Sequence, residues 1–167
     1  MIKILNAEPL GYSSEARGLM CSIGNYVELK KGVSLDADSL KDVDVLIVRL
    51  SEPITKNIMG FAPSLKVIVS ATTGLDHIDL KEASARDVVV LSLRGETEFL
   101  KTVTATAELT WGLLLATMRK IVEASHSVIN GVWNRDNYVG CELYGKSLAI
   151  IGLGRLGEQV ARYGLAF

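Results

Sequence analysis

Lys146-Ser147-Leu148-Ala149-Ile150-Ile151-Gly152-Leu153-Gly154-Arg155-Leu156-Gly157-Glu158 is the stretch that decides how this chain reads. An apolar run enters G-x-G-x-x-G, and a helical pattern follows to Phe167. Strand, glycine turn and helix in that order form a dinucleotide-binding fingerprint. Gly152 permits the tight turn out of the strand. Gly154, without a side chain, lets a pyrophosphate approach the backbone. Gly157 lets the helix pack closely on the strand, and the helix N-terminal amides then face the phosphates. Val160, Ala161 and Gly164 continue the packing face begun at Leu156. The expectation is a strand over Ser147–Ile151 that begins a nucleotide domain. The carboxylate that would hold the ribose is expected about 20 residues further on. It would fall beyond Phe167, so the sequence predicts half of a cofactor site and does not separate NAD from NADP. FAD is disfavoured, because its turn usually lies near an N-terminus.

Upstream of this turn, apolar runs alternate with helical patterns. Strands are expected at Ile2–Leu5, Tyr26–Leu29, Asp44–Arg49, Leu65–Ala71 and Val88–Leu91. Between them fall a helix from Ser13 or Ser14 to about Ile23, a short helix or turn at Ser39–Val43, a short helix from Thr55 to Phe61 stopped by Pro63, and a helix at Leu80–Arg86. Asp79 and Glu82 have the spacing of a capping box for the last. Such alternation predicts an α/β fold with a parallel sheet and right-handed crossovers. The expected boundaries are 1–98 for this domain and 99–167 for the remainder. Leu93–Thr102 fits neither period and reads as the junction. One long helix is expected over Val103–Asn130, with Leu109, Leu113, Leu114, Thr117, Ile121 and Ala124 as its apolar stripe and Gly131 as its stop.

Composition removes several classes of function. Over 167 residues, 49% are hydrophobic, 22% are charged and the formal net charge is −1, with no basic block to suggest nucleic acid or an anionic surface. No apolar run approaches the roughly 20 residues of a membrane span. Met1–Asn6 reads as a strand rather than a secretion signal. Cys21 and Cys141 are far apart in sequence and form no C-x-x-C, which fits reduced thiols in a cytoplasmic protein. His77 and His126 are the only histidines and have no Cys, Asp or Glu cluster around them, so no metal site is expected. No catalytic acid or base is assigned to either one.

Thr72-Thr73-Gly74-Leu75-Asp76 closes the fourth expected strand. Ligands of open α/β sheets lie at the carboxyl ends of strands. The amides of Thr73 and Gly74 could meet an anion such as a carboxylate. Equally, this stretch could be a strand-to-helix turn with capping hydroxyls.

Several segments taken together resemble the D-isomer-specific 2-hydroxyacid dehydrogenases. They are Thr73-Gly-Leu-Asp-His-Ile-Asp-Leu80, Ala107-Glu108 opening Leu109–Arg119, Gly131-Val-Trp-Asn-Arg135, and Glu142-Leu-Tyr-Gly-Lys146 running into the glycine turn. The resemblance covers about Ile47 to Phe167 and implies a flavodoxin-like substrate domain followed by the start of a Rossmann NAD domain. It implies that Gly152, Gly154, Arg155, Leu156 and Gly157 hold the pyrophosphate and that Thr73 lies near the nicotinamide. It further implies that Thr72, Thr73 and Gly74 surround the substrate carboxylate. The implied cofactor is NAD, with NADP open, and the implied partner is a small 2-hydroxy or 2-oxo acid. The long helix would build a homodimer. The family's catalytic Arg, Glu and His match nothing before Phe167, so the chain reads as an N-terminal portion without them. Arg94–Lys101 departs from the usual hinge, which leaves the particular acid undefined. The alternative is a non-catalytic dimerising or nucleotide-sensing module.

Overall fold

A computed structural model describes residues 1–167, which divide into two compact units, Met1–Glu96 and Thr97–Phe167. The first unit contains β1 (Lys3–Asn6), α1 (Ser14–Ile23), β2 (Asn25–Glu28), α2 (Ala37–Leu40), β3 (Val45–Val48), α3 (Lys56–Gly60), β4 (Val67–Ser70), α4 (Leu80–Ala85) and β5 (Val89–Ser92). All five strands are parallel, in the order β2-β1-β3-β4-β5. This is the flavodoxin-like order, whose direction reverses between β1 and β3.

The register explains the cohesion. Ile4, Val45, Val67 and Val89 form one row across four strands, and Leu46, Ile68 and Val90 lie in the next. Helices from the crossovers cover both faces of such a sheet, so its strands read as near-continuous apolar runs. Leu40, Val43, Leu46, Ile54 and Ile68 are completely buried. Ser13 caps α1 by accepting from the Ala16 amide, and Asp36 and Ser39 cap α2 reciprocally. At α4 only one arm of the expected box forms. Asp79 accepts from the Glu82 amide. The Asp79 amide is already bonded to the Ile54 carbonyl, and Glu82 pairs instead with Arg86 and Lys56.

The second unit holds α5 (Thr97–Lys101), α6 (Ala105–Met118), α7 (Ile121–Ile129), a 3-10 turn at Arg135–Tyr138, and α8 (Arg155–Gly164). Two expectations fail in it. The single helix expected over Val103–Asn130 is two helices, broken at Lys120 in the left-handed region, with φ 51°. The cause is tertiary. The Met118 carbonyl, which would serve the next turn, accepts from the Cys141 amide at 2.8 Å. Gly140 makes that approach possible, because a Cβ there would lie 2.3 Å from the Met118 carbonyl oxygen. The strand expected over Ser147–Ile151 is also absent. A strand exists by its ladder, and the second unit contains no strand to pair with it. The 93–102 junction, expected to follow no period, contains α5.

Candidate functional site

The glycine turn opens α8 as the fingerprint requires. Gly152 has φ +92°, a left-handed conformation that favours glycine. A Cβ on Gly157 would stand 2.3 Å from the Gly152 carbonyl oxygen, so helix and turn touch backbone to backbone. A Cβ on Gly154 would meet nothing within 4 Å, which leaves the space before the helix open. Arg155, Leu156 and Gly157 form the first turn of α8, whose amides have no intrahelical acceptor. Gly154 occupies the N-cap, and no side chain caps the helix. The result is a set of free donors at the positive end of a helix dipole, suited to an anion. Gly152, Gly154, Arg155, Leu156 and Gly157 therefore share one turn, and their chemistry fits a pyrophosphate.

The Arg155 side chain has a different task. Its Nη1 donates to the carbonyls of Leu100 at 3.0 Å and Val103 at 3.2 Å, between α5 and α6. One helical turn further on, Gln159 is 3% exposed, and its Nε2 donates to the carbonyls of Lys101 at 3.1 Å and Val103 at 3.4 Å. Trp111, on α6, donates from its indole to the Val160 carbonyl at 3.1 Å and stacks on Phe167 with ring centroids 4.8 Å apart. It is interior to this unit rather than part of an exposed stripe.

At the carboxyl end of β4, Thr72, Thr73 and Gly74 form one turn. The Thr72 hydroxyl donates to the Gly74 carbonyl at 2.8 Å. Having spent its proton there, it accepts from Ser70 at 2.7 Å. Ser70, buried, must then accept from His77 Nε2 at 3.1 Å. Donors run in one direction from His77 through Ser70 and Thr72 to Gly74, so His77 braces this turn. Thr73 and Gly74 are exposed, and their amides meet no acceptor elsewhere in the chain.

A third feature, in the first unit, was not legible in sequence. At the ends of β1 and β3, where the strand order reverses, lies a cavity of about 820 Å³ lined among others by Glu8, Leu10, Leu29, Arg49, Leu50 and Ser51. The Glu8 carboxylate accepts from the amides of Arg49 (2.6 Å), Ser51 (3.2 Å) and Leu50 (3.4 Å) and from the Ser51 hydroxyl (2.6 Å). Burial alone would raise its pKa; the Ser51 hydroxyl and the amides of Arg49, Ser51 and Leu50 outweigh it and hold the carboxyl below the usual glutamate value. Asn6, fully buried, accepts the Glu8 amide and donates to the Tyr26 hydroxyl, which continues to Glu28 and Arg17. Glu8 lies just past a strand end in Asn6-Ala7-Glu8-Pro9, but only the strand order places the 49–51 loop over it.

The family model described as D-isomer specific 2-hydroxyacid dehydrogenase, catalytic domain, matches residues 12–136. The NAD binding domain model of the same group matches residues 111–167. A D-3-phosphoglycerate dehydrogenase of Methanocaldococcus jannaschii is 37% identical over 100% of this chain and 31% of its own length. A glyoxylate reductase of Thermococcus kodakarensis is 37% identical over 77% of this chain and 39% of its own. The chain thus spans well under half the length of these curated relatives. Among solved structures, NAD-dependent formate dehydrogenase from Staphylococcus aureus in complex with NAD superposes with a TM-score of 0.78 at 28% identity, covering 97% of this chain and 53% of that one. D-lactate dehydrogenase from Aquifex aeolicus, complexed with NAD and lactic acid, shares the fold with a TM-score of 0.76 at 22% identity, over 98% of this chain and 48% of that one.

Proposed function

Because the chain belongs to the D-isomer-specific 2-hydroxyacid dehydrogenase family, we propose that it is the substrate-domain and cofactor-turn portion of an NAD(P)-linked oxidoreductase acting on the CH–OH group of a D-2-hydroxy acid. The observation that carries this reading is the α8 N-terminus, with an open N-cap at Gly154 and free first-turn amides beside the close contact at Gly157. Those amides would hold the pyrophosphate. When bound, the nicotinamide supplies the hydride acceptor or donor. The exposed amides of Thr73 and Gly74 would hold the acid's carboxylate, in a turn braced through Thr72, Ser70 and His77.

The reaction moves a hydride from C2 and a proton from the hydroxyl, leaving a 2-oxo acid. That proton needs a titrating base beside the reacting carbon. His77 is engaged with Ser70, and His126 lies exposed on α7. On this reading no histidine of the 167 residues is assigned as that base, and the chain by itself is expected to show no dehydrogenase turnover.

The α6 and α7 surface supports self-association. Leu109, Leu113, Ile121, Val128 and Ile129 are all more than half exposed. An apolar face of this kind marks an interface, and a two-fold partner presenting the same face would bury it. The proposed assembly is a homodimer through α6 and α7.

Titration of the chain with NAD tests the cofactor reading. Binding no tighter than about micromolar is expected, roughly −8 kcal/mol. Gly154→Ala, which meets no clash, should weaken it at least about tenfold, about 1.4 kcal/mol, with the thermal midpoint unchanged. Equal affinity in that variant would remove α8 as the phosphate site.

A further inference from the structure

The residue that opens the cofactor helix is also tied to the peptide that follows α5. We propose that Arg155 and Gln159 are a pair of positioning residues that link the α8 N-terminus to Leu100–Val103, so that an anion bound at α8 is felt at the start of the second unit. The inference rests on the α8 cofactor reading and goes beyond it, because it gives the Arg155 side chain a task away from the cofactor.

Four hydrogen bonds carry the proposal. Arg155 Nη1 reaches Leu100 and Val103, and Gln159 Nε2 reaches Lys101 and Val103. Arg155 and Gln159 are one turn apart on α8, so both side chains project from one face. Their targets are the carbonyls of Leu100 and Lys101, in the last turn of α5, and of Val103, just before α6. The Leu100 carbonyl also accepts the Val103 amide at 3.1 Å, so the turn itself and its external brace meet at one atom. The Gln159 amide cannot be reversed without aiming its oxygen at two carbonyls. In the orientation present its Oε1 is buried and unpartnered. A buried oxygen without a partner is unfavourable, and it accompanies the two bonds made by the other side of the same amide.

Arg155 has two roles at two distances from the ligand. Its backbone amide lies in the free first turn of α8. Its side chain holds a segment 52 to 55 positions earlier in sequence. Any ligand that orders residue 155 thereby narrows the motion of Leu100–Val103. That segment begins four residues after Glu96, at the end of α5. Cofactor binding would accordingly stiffen the last turn of α5 and the peptide that leads into α6, both within the second unit.

Hydrogen exchange on the 167-residue chain, with and without NAD at millimolar concentration, tests this directly. NAD should slow exchange at residues 154–158. It should also slow, about threefold to tenfold, the amides of Thr102 and Val103, which are bonded to Phe99 and Leu100. In Gln159→Leu, which removes the bonds to the Lys101 and Val103 carbonyls, NAD protection at 154–158 should persist while that at Thr102 and Val103 falls. Protection at 154–158 with no change at Thr102 and Val103 in the unmutated chain would overturn the linkage, as would equal protection there in the variant. If NAD protects neither segment, the cofactor reading fails first, and the ligand-free comparison decides the link. Arg155→Met without ligand should quicken exchange at Thr102 and Val103, and unchanged exchange there would overturn it.

Discussion

The two units are built from similar apolar fractions and bury them very differently. Residues 1–96 enclose sixteen buried hydrophobic residues, and residues 97–167 enclose three, Leu100, Ala107 and Trp111. In the first unit each apolar strand finds a neighbour on at least one side, and β1, β3 and β4 are largely buried, although Val89 and Leu91 of the edge strand β5 stay more than half exposed. In the second, α6 is apolar nearly all round and has only α7 and α8 of its own unit to pack on, and Leu148, Ile151 and Leu153 stand exposed before the glycine turn. A hydrophobic pattern states what a segment would bury. Whether it is buried depends on a partner that the pattern does not contain.

The largest expected effect lies in the sheet. Leu46→Ala removes a completely buried side chain from the centre of β3 and should cost about 2–5 kcal/mol. Leu113→Ala, at 60% exposure on α6, should change the stability of a single chain by less than about 0.5 kcal/mol. Urea unfolding of both variants measures the contrast, and comparable losses would show that α6 is buried in solution. In that event sedimentation should report a dimer for the unmutated chain, and Leu113→Glu should shift it to monomer.

A smaller effect probes the second unit alone. Trp111→Phe keeps an aromatic ring against Phe167 but deletes the indole donor to Val160, leaving that carbonyl without this partner. The expected cost is about 1–3 kcal/mol, confined to the second unit. Exchange protection should therefore fall in α6 and α8 and remain in β1 to β5. Loss of protection in the sheet would mean that the two units unfold together.

The smallest effect is a pH dependence of the first unit. Glu8 is held below its ordinary value of 4.5 in the folded chain. Its contribution is therefore fully present above that value and is lost as pH falls through the folded pKa. Glu8→Gln should flatten the fall in stability on the acid side of about 4.5 and quicken exchange of the Arg49 and Ser51 amides. An identical acid limb in the variant would show that the carboxylate contributes nothing to the loop.

Much of the architecture could be read from local pattern. Asp44–Arg49 and Leu65–Ala71 read as strands of a parallel sheet, and β3 and β4 lie inside them. The start of α1 read as Ser13 or Ser14, and it is Ser13 that accepts the Ala16 amide. The glycine turn was legible because Gly152 and Gly157 answer constraints set within five positions, Gly152 by its positive φ and Gly157 by its contact with the Gly152 carbonyl. The open set of amides at Thr73 and Gly74 was legible as one of two alternatives, but the brace behind it, from Ser70 and His77, was not.

What the sequence determined by itself is what short-range physics decides: strand periods, helix caps, and a turn whose backbone requires glycine. Tertiary structure decided the rest. The break at Lys120 exists because Cys141 takes the Met118 carbonyl. Ser147–Ile151 forms no strand because its own unit offers none to pair with. Glu8 is held by a loop 41 to 43 residues away, and Arg155 is turned onto carbonyls 52 to 55 residues earlier. Each of these outcomes depends on a hydrogen-bond partner brought near only when the chain is folded. No window of sequence contains both halves of such a bond.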